Sequence, residues 1–136
     1  AILMRQKVAD AMHKGDHAST FAGGPVTTHV AHHVVSRVSD QTFLAEVEAK
    51  GKLLMERLEE LNSPHTVEIR GKGLMIGIEL DRSCGDLVKQ GLGAGLIINV
   101  TADKVIRLLP ALIFGEAEVR ELVPKLAALV KKFLAT

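Results

Sequence analysis

Between residues 67 and 109 the chain carries four short apolar runs, and their spacing is the strongest constraint on its fold. Val67-Glu68-Ile69-Arg70 alternates as a half-buried strand does. Gly71 and Gly73 then permit a bend or bulge before Leu74 to Leu80, a second and more buried strand. Leu96 to Val100 and Val105 to Leu109 form another pair, joined by Thr101-Ala102-Asp103-Lys104. Links this short bring neighbouring strands back antiparallel. The two pairs are separated by Asp81 to about Ala94, a helix-period segment that Gly91 and Gly93 weaken by roughly 1 kcal/mol each relative to Ala.

A sheet of about four strands has an apolar side that needs a cover, and the flanking sequence supplies one. Pro25 suits the first turn of a helix running through VTTHVAHHVVSRV. Asp40 is placed to cap another, extending to about Leu61 with Leu44, Val47, Leu54, Leu58 and Leu61 on one face. Asn62-Ser63-Pro64 is turn chemistry. A last helix, about Glu116 to Leu134, buries Val119, Leu122, Val123, Leu126, Val130 and Phe133, and Pro124 inside it predicts a kink or a late start. The expected fold class is α+β, a small, mostly antiparallel sheet covered by helices. Upstream, Ile2 to Met4 reads as the end of a strand, and Arg5 to His13 as a short helix stopped by Gly15. GDHASTFAGGP at 15 to 25 has neither period and is a loop.

Composition narrows the function. The chain has 136 residues, 47% of them hydrophobic, enough for a core in one domain. A formal charge of +1 gives a polyanion nothing to hold, and four Phe with no Trp or Tyr provide no stacking platform for single-stranded nucleic acid. No apolar run reaches the roughly 20 residues of a membrane span. Cys84 is the only cysteine, which excludes an internal disulfide and suits a reducing compartment, the cytoplasm or an organelle matrix, of which the cytoplasm is expected. Ala1 opens the chain inside an apolar run, as a cut end would.

Three segments, GDHASTFAGGP at 15 to 25, RGKGLMIGIEL at 70 to 80 and GLIINVTADKVIRLLPAL at 95 to 112, together resemble the class III pyridoxal-phosphate-dependent aminotransferases, and most nearly their acetylornithine and succinylornithine branch. The resemblance implies the C-terminal portion of such an enzyme. Residues 1–24 would end the large cofactor domain with a phosphate-contacting loop, and residues 25–136 would form the C-terminal small domain of fold-type I aminotransferases. It implies pyridoxal phosphate as cofactor, an amino-acid substrate with 2-oxoglutarate as acceptor, and a homodimer. Ser19 and Thr20 match the loop residues that hold the cofactor phosphate of the other subunit, and a glycine-flanked hydroxyl pair is chemically suited to a dianion. Read without the resemblance, the same two residues merely cap the helix that begins near Pro25.

Arg107, in VIRLLP, matches the arginine that binds the substrate carboxylate or pairs with an active-site glutamate; a guanidinium can give a carboxylate two parallel hydrogen bonds. The plain alternative is a surface arginine in a weak ion pair. No catalytic residue is expected in this chain, because the lysine that bonds the cofactor would precede Ala1, and so the chain alone is expected to be inactive. The sequence departs from the family at Gly24, where Asn is usual, at Ala111, where a second proline is usual, and in FGEAE at 114 to 118, usually more acidic. Ornithine and 4-aminobutyrate remain alternative substrates of the parent, and a non-catalytic α+β interaction module remains an alternative to any enzyme.

Three further signals carry less. His29, His32 and His33 fall at helical spacing that would let imidazoles share a metal, but no cysteine or carboxylate stands on that turn, and no metal site is expected. GLGAGL at 91 to 96 precedes a strand instead of opening a helix, the wrong context for a dinucleotide loop, and Gly95 reads better as a helix stop. Cys84 has no catalytic partner nearby in sequence and reads as a helix-start residue.

Overall fold

A computed structural model of the chain describes residues 3–17, 19–59 and 63–135. They fall into two compact units, 1–40 and 41–136. The first unit contains α1 (Gln6–Ala9) and α2 (Pro25–Val38). Leu3 and Met4 lie in no strand, and Leu3 is 98% exposed, so the strand expected at Ile2 to Met4 is not formed by its described residues; Ile2 itself lies outside them. The expected helix at Arg5 to His13 shrinks to one turn. Residues 20–23 form a turn, and Pro25 occupies the first turn of α2, as its fixed φ and missing N–H favour.

The second unit runs α3 (Gln41–Glu59), β1 (Thr66–Lys72), β2 (Met75–Leu80), α4 (Leu87–Gly93), β3 (Asn99–Thr101), β4 (Val105–Leu108) and α5 (Glu116–Leu134). All four strands join one sheet in the order β1-β2-β4-β3, and every pairing is antiparallel. The α+β expectation holds. Ile76 pairs with Leu108 and Ile78 with Ile106, so one sheet face is a block of branched side chains, all at most 7% exposed. Helices close that face: α3 contributes Phe43, Val47, Leu54 and Leu58, and α5 contributes Val119, Val123, Leu126 and Leu129. Phe43 takes the position expected for Leu44, which is exposed, and Leu129 is buried where Val130 and Phe133 are only partly so. Leu61 and Asn62 of the expected helix end and turn lie outside the described residues.

The hairpin between β1 and β2 needs its glycines. Gly73, at φ +55°, is the first of two turn residues between the paired Lys72 and Met75, a position where only glycine is unstrained. It also lies against α3, since a Cβ on Gly51 would stand 2.3 Å from the carbonyl oxygen of Gly73. Val67 is 63% exposed because the strand is bulged between Thr66 and Glu68, which overturns its expected burial.

The helix expected from Asp81 begins six residues later, because its first residues are held elsewhere. Asp81 accepts a 2.8 Å hydrogen bond from Arg82 Nε, its Oδ2 lies 2.8 Å from His65 Nδ1, and its N–H donates to the His65 carbonyl. The Cys84 N–H donates to the Asp103 carbonyl. At its other end α4 stops as expected: Leu96 N–H reaches back to Gly91 and Gly95 N–H to Leu92, with Gly95 at φ +73°. This is the Schellman arrangement. The helix α5 starts at Glu116 and continues through Pro124, so no late start occurs; its first turn is closed by a 2.9 Å bond from Gly115 N–H to the Glu118 carboxylate.

Two consequences are measurable. Gly51→Ala gains roughly 1 kcal/mol of helix propensity but forces α3 off the hairpin, at a cost of about 1–3 kcal/mol. A lowered urea midpoint is expected, and an unchanged or raised one would show that the approach of α3 to Gly73 is loose. Asp81 is held at a pKa of about 2 instead of 3.8, first by Arg82 and then by His65. Its contribution to stability is therefore complete above the unfolded-state value and is lost as pH falls toward 2. Asp81→Asn is expected to flatten the stability profile between pH 4 and 2, and unfolding curves collected at each pH check this.

Candidate functional site

The sheet face opposite Ile76, Ile78, Ile106 and Leu108 carries Glu68, Arg70, Lys72, Glu79 and Arg107 together with Met75 and the buried Val105, and the register dictates what stands on it. Side chains alternate between faces, so Ile106 and Leu108 turned inward force Arg107 outward. Arg107 is paired across β2 with Gly77 and across β3 with Asn99. Arg70 is paired with Gly77 from the other side, which makes a row of Arg70, Gly77, Arg107 and Asn99 across the four strands. Gly77 puts no side chain between the two arginines. A Cβ there would stand 3.1 Å from Val105 Cγ1, so the gap is also sterically enforced.

The two arginines differ in their partners. Arg70 Nη1 donates to Glu68 at 2.6 Å and to Glu79 at 2.7 Å. These bonds, Glu79 first, raise its pKa further above the ordinary guanidinium value. Arg107 is exposed and has no ion pair or side-chain hydrogen bond among the described residues. The ion-pair alternative for Arg107 is therefore not what the structure shows. An unpaired guanidinium fork on an open face is competent to take a carboxylate in two parallel hydrogen bonds.

Ser19 and Thr20 belong to the first unit and Arg107 to the second. Ser19 Oγ accepts a 3.4 Å bond from the Phe21 N–H, a local turn contact. Thr20 has no side-chain hydrogen-bond partner among the described residues and is exposed. Neither residue caps α2. Its N-cap is Gly24, which has no side chain to offer, and Thr27 Oγ1 and Thr28 Oγ1 instead donate to the Gly24 carbonyl at 2.9 Å each. With helix capping removed as an explanation, the hydroxyl pair retains the donor chemistry that a phosphate requires.

Other candidates fall into place. Cys84 is fully buried, and burial followed by the nearby Asp103 carboxylate pushes its thiol pKa up, the wrong direction for a nucleophile. It precedes the first residue of α4 by three positions and does not start it. Gly91 of GLGAGL is buried against Ile98 and the Leu96 carbonyl and serves packing, while Gly95, at φ +73°, serves the helix stop. His29, His32 and His33 are exposed on α2, and among the described residues no group of three or more His, Cys, Asp or Glu is arranged to hold a metal ion. No described helix is long and apolar enough to cross a membrane. A hollow of about 780 Å³ in the second unit is bordered by Leu58, Ile69, Ile78 and Leu126, and Arg107 does not line it. The residue that sequence reasoning passed over is Arg70. Its strand register, which would have put it in line with Arg107, is not written locally in RGKG.

The family model described as aminotransferase class-III matches residues 1–130. Acetylornithine aminotransferase 1 of Bordetella pertussis is 39% identical over 137 residues, which cover 99% of this chain and 35% of that protein. Acetylornithine aminotransferase of Caldanaerobacter subterraneus subsp. tengcongensis is 44% identical over 110 residues, covering 79% of this chain and 28% of the relative. Among solved structures, the ornithine aminotransferase of Toxoplasma gondii superposes with a TM-score of 0.76 at 25% identity over 94% of this chain and 32% of that one. The N-acetylornithine aminotransferase of Stenotrophomonas maltophilia gives 0.75 at 27% identity, over 83% of this chain and 33% of the other. The chain spans about a third of the length of the curated relatives it matches. On the family match across residues 1–130, this chain belongs to the class-III aminotransferases.

Proposed function

We propose that the chain is the C-terminal part of a pyridoxal-phosphate-dependent aminotransferase that moves an amino group from N-acetylornithine to 2-oxoglutarate in arginine biosynthesis. The observation that carries this reading is Arg107, an exposed guanidinium with no side-chain partner among the described residues, in line across Gly77 with the ion-paired Arg70. The names of the relatives, acetylornithine aminotransferases from several organisms, support the choice of substrate. Ornithine is the second reading, favoured by the likeness to ornithine aminotransferase structures. 4-Aminobutyrate is a third substrate of the same family.

In this reading Arg107 binds the substrate α-carboxylate through both arms of its fork and so fixes which way the amino group points. Residues 1–24 close the large cofactor domain, and 25–136 form the small domain. Thr20, with Ser19 beside it, donates to the cofactor phosphate of a second copy in a homodimer. The donor set fits that anion: two hydroxyls in a glycine-flanked turn, with Thr20 unused locally. Bound pyridoxal phosphate would supply the electron-accepting ring that lets a proton leave the carbon bearing the transferred amino group. The apolar positions Val26, Val30 and Val34 stand at four-residue spacing on α2 and are 74%, 56% and 50% exposed, which supports a partner surface there. The cytoplasm is the compartment we assign.

Two assays test this. The 136-residue chain incubated with N-acetylornithine, 2-oxoglutarate and pyridoxal phosphate is expected to form no glutamate, and turnover would overturn the assignment of the catalytic lysine to another part of the enzyme. In the full-length enzyme carrying this chain, Arg107→Ala is expected to lower kcat/KM for the amino donor by about 30- to 1,000-fold, the loss of a charge-assisted carboxylate pair worth about 2–4 kcal/mol. An unchanged kcat/KM would return Arg107 to an ordinary surface role.

A further inference from the structure

The register that frees Arg107 also exposes it to a competitor. Glu79 is two residues along β2 from Gly77, on the same sheet face, and Gly77 is the direct partner of Arg107. Glu79 and Arg107 are therefore diagonal cross-strand neighbours, a separation that long side chains bridge. Glu79 is also directly opposite Glu68 on β1, and two facing carboxylates repel each other. Left alone, Glu79 has reason to turn away from Glu68 and toward β4, where Arg107 is the cation on that face. It does not do so, because Arg70 Nη1 bridges it to Glu68, at 2.7 and 2.6 Å.

We infer that Arg70 is a positioning residue: by holding Glu79 against β1 it keeps the Arg107 guanidinium free to take a carboxylate ligand. This rests on the reading of Arg107 as a carboxylate-binding residue. Three features combine to make it work. Arg70 and Arg107 flank Gly77 from opposite sides, so no side chain separates the two cations that compete for Glu79. One guanidinium nitrogen serves both carboxylates, which removes the Glu68–Glu79 repulsion that would otherwise drive Glu79 across the sheet. Lys72, the other cation on this face of β1, is paired with Met75, four residues along β2 from Glu79 and too far to replace Arg70. The sheet thus sets a hierarchy in which the arginine on the edge strand is consumed so that the one on the inner strand is not.

The ¹⁵N-labelled full chain tests this through the Nε–Hε signal of Arg107, assigned by its disappearance in Arg107→Lys. Without ligand, Arg70→Gln is expected to shift that signal, and adding Glu79→Gln to the same protein is expected to restore it. A merely structural role for Arg70 would give no such rescue. Glutarate, a dicarboxylate probe, is then titrated: the wild type is expected to respond through Arg107, Arg70→Gln to need about three- to fivefold more glutarate, as release from a surface ion pair costs, and the double variant to return to the wild-type value. An Arg107 signal that is the same in wild type and Arg70→Gln overturns the inference. A wild-type signal that glutarate does not move overturns instead the carboxylate reading, while the ligand-free comparison still decides what Arg70 does. If Arg70→Gln loses its fold, Arg70→Lys, which keeps a cation but not the shared nitrogen, carries the same comparison.

Discussion

The pairing of β2 with β4 is the contact on which the rest of this structure depends. It sets Ile76 on Leu108 and Ile78 on Ile106, and those four side chains supply the floor on which α3 and α5 pack. The same pairing decides the other face. A slip of one residue would turn Arg107 into the core and Ile106 into water, exposing an apolar side chain and burying an unpaired charge. Burial of one face and display of Arg107 on the other are thus a single event, and the energy that forms the core also aims the arginine.

Glycine is what lets this small sheet come so close to its helices and carry two arginines abreast. Gly73 turns the β1–β2 hairpin and receives α3 at Gly51, while Gly77 puts no side chain between Arg70 and Arg107. The polar face is then organised by charge. Arg70 absorbs two carboxylates that the register places face to face, and Arg107 stands in the same row without a partner among the described residues. Fold and site are linked here by strand register, with no separate scaffold needed.

Much of the architecture was legible in the sequence because its signals are local. Short apolar runs located β1, β2 and β4, Pro25 the start of α2 and Gly95 the end of α4, whereas the strand expected at Leu96 to Val100 forms only at Asn99–Thr101. Errors arose where a distant partner overrode the local signal. Asp81 looked like a helix start and is instead tied to His65 and Arg82; Val67 looked half-buried and is lifted out by a bulge. Leu44 and Phe43 are adjacent apolar residues, and only the approach direction of α3 chooses between them. Of the candidate site, Arg107, Ser19 and Thr20 were singled out through motif resemblance, whereas Arg70 is put in line with Arg107 only once the pairing of β1, β2 and β4 is known.

The central claim is that this register presents Arg107, unencumbered by Glu79, to a carboxylate on the open sheet face. A crystal structure of the protein grown with a dicarboxylate measures that directly. The account predicts a carboxylate bridged by both arms of Arg107 in the lane beside Gly77, with Arg70 still joined to Glu68 and Glu79. A structure in which Arg107 is instead paired with Glu79, or in which the dicarboxylate binds elsewhere and leaves Arg107 untouched, would contradict it.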